Sequence, residues 1–324
     1  MYNPKITQEE FINQVTESNP DLIAFSATTN SFPLVAQMAA WINKTGSNIP
    51  VIVGGTHAIL NPNEAMSTVG IDFVCLGDGE DLMVELCRAL ENGDSVSGIQ
   101  GLGRHNKENI VLNKPGRRVS ELDDLPFPDR HIFDYKHLYN ERDGAAMMMA
   151  SRGCPYQCTY CCNKALRKAT GNIRPLIRFH SVDYVIGEAR KIMADFDFIK
   201  EFHFDDDILF LRRDWAEEFA RRFPKEVGLP FVCNLRPTLV KPALAALLKQ
   251  AGCIEVRIGL ESGNDHIRNQ VLQRKMTRQH IIDAVRICHD YKIKVMTFNM
   301  IGLPFETPRT IIDTIELNAL ARPD

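Results

Sequence analysis

The sequence has no long apolar run and no block of like charge. No uncharged apolar stretch approaches the ~18 residues that are needed to span a bilayer, and no basic-then-apolar segment opens the chain. Lysine and arginine together number 38 against 41 aspartates and glutamates, and neither sign collects in one segment. These absences disfavour a membrane protein, a secreted protein and a nucleic-acid partner, and they predict a cytoplasmic protein.

The sequence also lacks the paired ligands of a structural zinc site. Four of its nine cysteines fall in SRGCPYQCTYCCNKA (151–165), but no second C-x2-C pair and no suitably spaced histidine pair accompanies them. A structural zinc ion needs four closed ligands, usually from two such pairs. Thiols stay reduced in the cytosol, which disfavours a disulfide as well.

The spacing C-x3-C-x2-C singles out Cys154, Cys158 and Cys161 as metal ligands. Three thiolates on an iron–sulfur cluster leave one iron open to a substrate, an arrangement that suits catalysis. The spacing therefore favours an iron–sulfur cluster, with zinc and accidental clustering as the alternatives. The neighbouring Cys162 is predicted to be a buried structural thiol, because its side chain is expected to point away from that of Cys161.

The first part of the chain, residues 1–98, alternates apolar strand patterns with helical patterns. The predicted strands are 21–27, 50–55 and 72–77, and the predicted helices lie near 32–45, 62–68 and 80–92. Strands that are apolar on both faces are typical of a covered parallel sheet, so we predict a doubly wound, Rossmann-like α/β domain. Small and glycine-rich loops follow its strands, at the edge where such sheets bind ligands, although tight turns explain them equally well.

Residues 99–144 change character and are predicted to form a hairpin and a linker rich in charge, proline and aromatic residues. Residues 145–324 then return to a βα alternation. Its predicted strands are 145–153, 199–207, 230–236, 254–262 and 294–304, and its predicted helices lie near 182–195, 213–226, 241–251, 277–291 and 308–321. Successive βα units of this kind indicate a TIM-like partial barrel, whose polar strand ends face one mouth.

The cysteine motif and several later pieces carry a family resemblance. CPYQCTYC resembles the signature of the radical S-adenosylmethionine (SAM) enzymes, with Tyr160 in the aromatic position. FHFDDDILF, VRIGLESGN and NMIGLPFET are similar to stretches at the second, fourth and fifth strands of that barrel. SATTNSF, VIVGGTHAILNPNEAM, VGIDFVCLGDGE and LDDLPFPDR resemble the cobalamin-binding module and connector of the cobalamin-dependent radical SAM subfamily. The resemblance covers residues ~15 to 324.

This resemblance implies three cofactors and a set of contacts to them. A 4Fe–4S cluster would bind to the three cysteines, SAM to its open iron, and cobalamin to the first domain. The implied SAM contacts are Tyr160 at the adenine, Asp206 and Glu261 at the ribose or amino group, Arg236 at the carboxylate, and Gly302 at the adenine. The implied cobalamin contacts are Ser26, Thr28, Thr29, Gly54 and Gly55. Helix caps and tight turns are the alternative roles for most of these residues.

The activity that the resemblance implies is methylation of an unactivated carbon of a small-molecule substrate, with methylcobalamin as the methyl donor. An external one-electron reductant of the flavodoxin or ferredoxin type would supply electrons. The alternatives are an anaerobic oxidative cyclase, a ring-rearranging enzyme, and a non-catalytic cobalamin- or metal-binding protein. The cysteine triad disfavours a non-catalytic binding protein, because three ligands leave one iron of a cluster open and a purely structural cluster does not need an open iron.

Two elements of the family pattern have no counterpart in this sequence. A strand should precede residues 21–27, and a sixth barrel strand should follow NALARPD, so we expect a (βα)6 barrel and a sheet that are truncated at the two ends of the chain. The D-x-H-x-x-G motif normally follows the first of these strands. The lower ligand of cobalamin is therefore not decided by this sequence.

Overall fold

The computed structural model describes residues 6–107, 109–116, 118–139 and 144–324. The chain forms two compact units, one of Met1–Ser120 with Cys162–Arg174 and the other of Glu121–Cys161 with Pro175–Asp324. Among the described residues, no helix is both long and apolar enough to cross a bilayer.

The first unit is built on a five-stranded sheet in the order β1-β2-β3-β4-β5. Its strands are β1 (Ile23–Ser26), β2 (Val51–Gly54), β3 (Phe73–Cys75), β4 (Leu102–Asn106) and β5 (Asn109–Leu112). Its helices are α1 (Gln8–Ser18), α2 (Phe32–Lys44), α3 (Gly55–Leu60), α4 (Pro62–Met66) and α5 (Glu80–Asn92). The strands β1 to β3 are parallel.

Helices cover both faces of this sheet, because its strands are apolar on both sides. Val53 and Val74 pack with residues of α2 to α4. Ile52 and Cys75, which point to the opposite face, pack with residues of α5. The predicted doubly wound α/β domain is confirmed.

The hairpin of β4 and β5 belongs to the first unit and is not part of a linker. β4 pairs antiparallel with β3, so that Val74 lies opposite Gly103, and β5 pairs antiparallel with β4. The hairpin thus completes the sheet. The predicted boundary after residue 98 is corrected to the neighbourhood of Ser120.

The second unit contains a five-stranded sheet in the order β12-β11-β10-β9-β6. All neighbouring pairs are parallel. The strands are β6 (Ala145–Met148), β9 (Glu201–Phe204), β10 (Phe231–Leu235), β11 (Cys253–Glu261) and β12 (Lys294–Asn299). The helices are α8 (Val182–Asp195), α9 (Arg213–Glu226), α10 (Pro242–Ala251), α11 (Arg278–Asp290) and α12 (Pro308–Ala321). This βα succession confirms the predicted partial barrel.

The strands of this sheet alternate between a face that packs on the helices and a face that we call the inner face. Phe202, Phe204 and Phe231 are fully buried in the helix-facing core, where they contact Phe219 and Phe223 of α9. The residues of opposite parity form the inner face, and they include Met147, His203, Asp205, Asn234 and Arg257. The inner face therefore carries polar and charged side chains, together with apolar ones such as Val232, Met296 and Phe298.

The predicted strand 145–153 is interrupted. After β6 the chain leaves the sheet, and β7 (Ser151–Arg152) pairs instead with β8 (Arg178–Phe179) in a separate two-stranded ribbon. The cysteine loop follows this ribbon and leads into α7 (Cys162–Ala169).

Candidate functional site

The cysteine loop presents its thiols to different degrees. Cys158 is buried, and Cys154 and Cys161 are partly exposed. The Arg236 guanidinium, at the end of β10, donates a hydrogen bond to Cys158 Sγ at 3.6 Å and lies 4.1 Å from the centroid of the Tyr156 ring. A positive charge therefore lies beside the buried thiol.

Cys162 differs from its prediction. It is exposed, not buried. It begins α7, and the first turn of a short polar helix buries little. Cys162 is still not a predicted metal ligand, because it lies outside the C-x3-C-x2-C spacing.

The three predicted ligands are close enough to influence one another. Burial raises the pKa of the Cys154 thiol most, a hydrogen bond with the Tyr156 backbone opposes this, and the charges of Asp207, Cys161 and Cys158 raise it further. Thiolates that lie near one another repel unless a cation separates them. In the described part of the chain, no three His, Cys, Asp or Glu side chains converge in a metal-binding group. Metal coordination by the triad therefore stays a prediction.

The residues between Cys158 and Cys161 are bonded to a segment that follows β11, residues 262–276, which we call the clamp segment. The Thr159 amide donates to the Leu272 carbonyl at 3.2 Å, and Thr159 Oγ1 donates to the Val271 carbonyl at 2.6 Å. The Arg274 guanidinium donates to Tyr160 Oη at 2.7 Å. These bonds join parts of the chain that are more than 100 residues apart.

Tyr160 and Glu261, both predicted SAM contacts, are in direct contact. Tyr160 Oη donates to Glu261 Oε1 at 2.9 Å, and Arg274 Nη1 lies 3.7 Å from the same oxygen. Burial raises the pKa of the Glu261 carboxyl, while Arg274 and then the Tyr160 hydrogen bond lower it. The group is thus a nearly buried carboxylate with one cation and one phenol beside it.

Glu261 has an unusual backbone conformation. Its φ is 66°, in the left-handed region, and the pairing of β11 with β12 shifts register between Gly259 and Glu261. Non-glycine residues held in this region cost about 1 kcal/mol and are frequent at functional sites. The Glu261 side chain lies on the same face as Gly259, where it meets Tyr160.

Sequence reasoning missed the arginine that holds the clamp segment together. Arg268 is fully buried. Its guanidinium donates to the Met276 carbonyl at 3.0 Å and to the Ser262 carbonyl at 2.9 Å, and it pairs with Asp265. The available signal was a charged residue within the apolar set Ile267, Val271 and Leu272.

Asp206, a predicted SAM contact, is bonded within the chain, and its contact with SAM stays a prediction. It is fully buried. Its carboxylate accepts a hydrogen bond from the Ala150 amide at 3.1 Å and another from the Ser151 hydroxyl. These bonds hold the chain where it leaves β6 for β7. Asp206 therefore anchors the start of the cysteine loop from inside the core.

Asp206 is also expected to make stability depend on pH. Burial raises its pKa from 3.8 to about 6, against the opposing hydrogen bonds of Ser151 and Ala150. The protonated form is thus favoured in the folded state, and the stability it contributes is present below pH 3.8 and lost as pH rises through about 6. The free energy of unfolding of Asp206→Asn relative to wild type should rise by roughly 2–3 kcal/mol from pH 4 to pH 7.

Urea unfolding of the metal-free protein at several pH values measures this difference. Asp290→Asn is the matched control, because Asp290 lies on the surface of α11. Its difference from wild type should be nearly constant across this range. A constant difference for Asp206→Asn would contradict the expected titration.

Gly302 lies in the loop after β12 with a φ of 86°. A Cβ at this position would meet no atom within 4 Å, so the space beside the backbone is open. The amides of Gly302 and Leu303 both donate to Glu306 Oε2, at 2.6 Å and 3.1 Å, which fixes the loop. The predicted close approach of a ligand to Gly302 is sterically possible.

Two known protein families match the chain. Residues 148–317 match the Radical SAM superfamily, and residues 1–87 match the B12 binding domain. The first match covers more than half of the 324 residues. The chain belongs to the radical SAM superfamily. The two domains also confirm the three predicted cofactors, which are a 4Fe–4S cluster, SAM and cobalamin.

Several curated proteins are similar to this radical SAM chain over most of its length. An uncharacterized methyltransferase of Pyrococcus horikoshii is 27% identical over 314 residues, which are 96% of this chain and 66% of that protein. The cytidylyl-2-hydroxyethylphosphonate methyltransferase of Streptomyces wedmorensis is 24% identical over 332 residues (92% and 61%). The anaerobic magnesium-protoporphyrin IX monomethyl ester cyclase of Rubrivivax gelatinosus is 21% identical over 336 residues (98% and 58%). This radical SAM chain spans about three fifths of the length of these relatives.

Solved structures share the fold of this radical SAM protein. The radical SAM methyltransferase TsrM from Kitasatospora setae, with cobalamin and a 4Fe–4S cluster bound, matches with a TM-score of 0.80 and 20% identity. The match covers 98% of this chain and 62% of that chain. The cobalamin-dependent enzyme OxsB, with aqua-cobalamin and SAM bound, matches with a TM-score of 0.74 and 17% identity (97% and 45%).

The residues that are predicted to contact cobalamin lie at the carboxyl ends of β1 and β2 in the B12-binding domain. They are Ser26, Thr28, Thr29, Gly54 and Gly55. Thr28 makes local bonds to Ser31, with its amide at 3.0 Å from Ser31 Oγ. A Cβ on Gly55 would lie 2.8 Å from the Ala27 backbone, so Gly55 permits close packing of two chain segments. Contact with cobalamin stays a prediction for all five residues.

Proposed function

We propose that this cobalamin-dependent radical SAM enzyme is a methyltransferase that acts on an unactivated carbon of a small molecule. The main support is the combination, in one chain, of a B12 binding domain with a radical SAM domain that carries the cysteine triad. Relatives named methyltransferase share 27% and 24% identity over 96% and 92% of the chain, and relatives named cyclase share 21% and 22% over 98% of it and 26% over 48% of it.

The residues of the loop suit the proposed cluster. Cys154, Cys158 and Cys161 would supply three thiolates, and Arg236 supplies positive charge beside Cys158. When bound, the cluster supplies an electron that cleaves SAM to a 5'-deoxyadenosyl radical, and cobalamin supplies the methyl group. Arg236 was predicted to bind the SAM carboxylate, but its contacts with Cys158 and Tyr156 favour a role in holding the loop.

The polar groups beside the loop would position SAM. Glu261 can accept hydrogen bonds from hydroxyl or ammonium groups, and the Arg274 guanidinium opposes the rise in its pKa that burial causes. Tyr160 fixes the carboxylate through its hydroxyl and presents its ring beside the loop. The open backbone at Gly302 leaves room for a flat ring. A flavodoxin- or ferredoxin-type protein is the proposed electron donor.

Anaerobic reconstitution with iron, sulfide and hydroxocobalamin tests this function. The protein should hold about four irons per chain and a corrinoid, and it should release 5'-deoxyadenosine from SAM under reduction. With SAM labelled in its methyl group, the label should appear on the corrinoid. A colourless zinc protein would overturn the enzyme assignment. SAM cleavage and corrinoid binding without methyl transfer would overturn the methyltransferase and favour a cyclase-type reaction.

A further inference from the structure

The second unit contains a cavity of about 350 Å³ at the β6 edge of its sheet. Cavities of this size lie within the range of small-molecule sites, roughly 300–1,000 Å³. Its lining combines apolar side chains with His180 and the charged residues Arg130, Arg152, Glu188 and Asp205. Arg152 stands two residues before Cys154, and Asp205 follows the carboxyl end of β9. The cavity therefore lies at the strand ends that carry the cysteine loop.

Much of the cavity wall is apolar. Leu125, Pro126 and Pro128 come from the connector, and Met147 and Met149 come from β6 and the residues after it. The side chains of Met147 and Met149 are 40% and 49% exposed. Exposed thioethers at a cavity adapt to apolar ligands of varied shape. An apolar molecule would cover these side chains.

Most charged groups on the wall already have partners. Arg130 pairs with Glu188 at 2.7 Å and donates to the Met147 carbonyl at 3.1 Å. His180 Nδ1 lies 3.0 Å from Asp123 Oδ1, and burial lowers its pKa. Arg152 is also engaged within the protein. Arg130 and Glu188 therefore compensate each other's charge.

Asp205 is the exception. No hydrogen-bond donor from the described ranges reaches its carboxylate. Two basic side chains that influence it each lie beside another carboxylate: His203 lies 2.7 Å from Glu201, and Arg257 lies 2.9 Å from Glu255. Burial raises the pKa of Asp205, and Arg257 and His203 only partly oppose this. A half-buried carboxylate without a donor is destabilised unless a ligand supplies one.

We propose that this cavity is the substrate site and that the substrate is an apolar amine, whose ammonium group binds Asp205 while its apolar body covers Met147 and Met149. The inference rests on the proposed function, since it names the substrate class of that reaction. An ammonium group both donates hydrogen bonds to Asp205 and neutralises its charge. A hydroxyl group donates a hydrogen bond to Asp205 but does not neutralise its charge.

Three probes of one shape test the site without any cofactor: cyclohexylamine, cyclohexanol and cyclohexanecarboxylate. Their binding to the full chain at pH 7.5 is measured by saturation-transfer NMR and calorimetry. We expect the amine to bind about tenfold more tightly than the alcohol, and the carboxylate to bind least. Asp205→Asn should remove the preference for the amine and leave the alcohol unchanged.

A second pair of variants tests the cavity itself. Met149→Trp should fill it and abolish binding of all three probes, whereas Met149→Leu, of similar volume, should retain it. Retained binding in Met149→Trp, or tighter binding of the carboxylate than of the amine, would overturn the proposal. If Met149→Trp does not fold, the loss or retention of the amine preference in Asp205→Asn still tests the proposal. Failure of the wild type to cleave SAM would refute the proposed function alone, because probe binding requires neither cluster nor SAM.

Discussion

Replacement of Cys158 by alanine is expected to abolish SAM cleavage. Cys158 is the buried member of the triad and the one that Arg236 contacts, so its loss removes both a ligand and the partner of a buried guanidinium. A cluster that keeps two protein ligands in place of three should be lost during reconstitution. Iron content per chain and the rate of 5'-deoxyadenosine release measure the effect, and we expect both to fall to background.

Cys162, a nearby cysteine outside the triad, supplies the matched control. Cys162→Ala removes an exposed thiol only four positions away and outside the C-x3-C-x2-C spacing. It should retain iron and activity within about twofold of wild type. Normal iron content in Cys158→Ala, or its loss in Cys162→Ala, would mean that the ligands have been assigned wrongly.

Replacement of Arg268 by methionine is expected to lower the free energy of unfolding by roughly 3–5 kcal/mol. The side chain is fully buried and bonds to two carbonyl groups and to Asp265. Methionine fills similar space but leaves the Ser262 and Met276 carbonyls without their donor. Urea unfolding of the metal-free protein, monitored by circular dichroism, measures the change.

Arg286 offers a surface counterpart to Arg268. It lies on α11, pairs with Asp283 and Asp290, and is 61% exposed. Arg286→Met should change the free energy of unfolding by less than about 1 kcal/mol, because exposed ion pairs contribute little. Equal effects of the two substitutions would show that the buried arginine does not stabilise the clamp segment.

The barrel and its cofactors could be predicted because their signals are local. The helices α9 and α12 have the predicted bounds, since each has a clear apolar face and a start signal or turn beside it. The cysteine spacing falls within eight residues, 154–161. The edge position of the hairpin could not be predicted, because it depends on pairing between β3 and β4 and no local pattern encodes it.

Asp206 shows a signal that was present but not used. In FHFDDD, Phe202 and Phe204 face the core, and period-two alternation places Asp206 with them and Asp205 with His203 on the inner face. The run of three aspartates hides which of them faces the core, because the three residue types are identical. Arg274 was out of reach, since its partner Tyr160 lies more than 100 residues away in the chain.

The bonds of Thr159 to the clamp segment have a consequence for metal affinity. A free loop loses conformational entropy when it closes around a metal, and that loss weakens binding. Here Thr159 and Tyr160 become ordered when the barrel folds, since they bond to Val271, Leu272 and Glu261. Part of the cysteine loop is therefore ordered before a metal binds. A substitution in the clamp segment can remove this ordering and weaken iron binding without altering a cysteine.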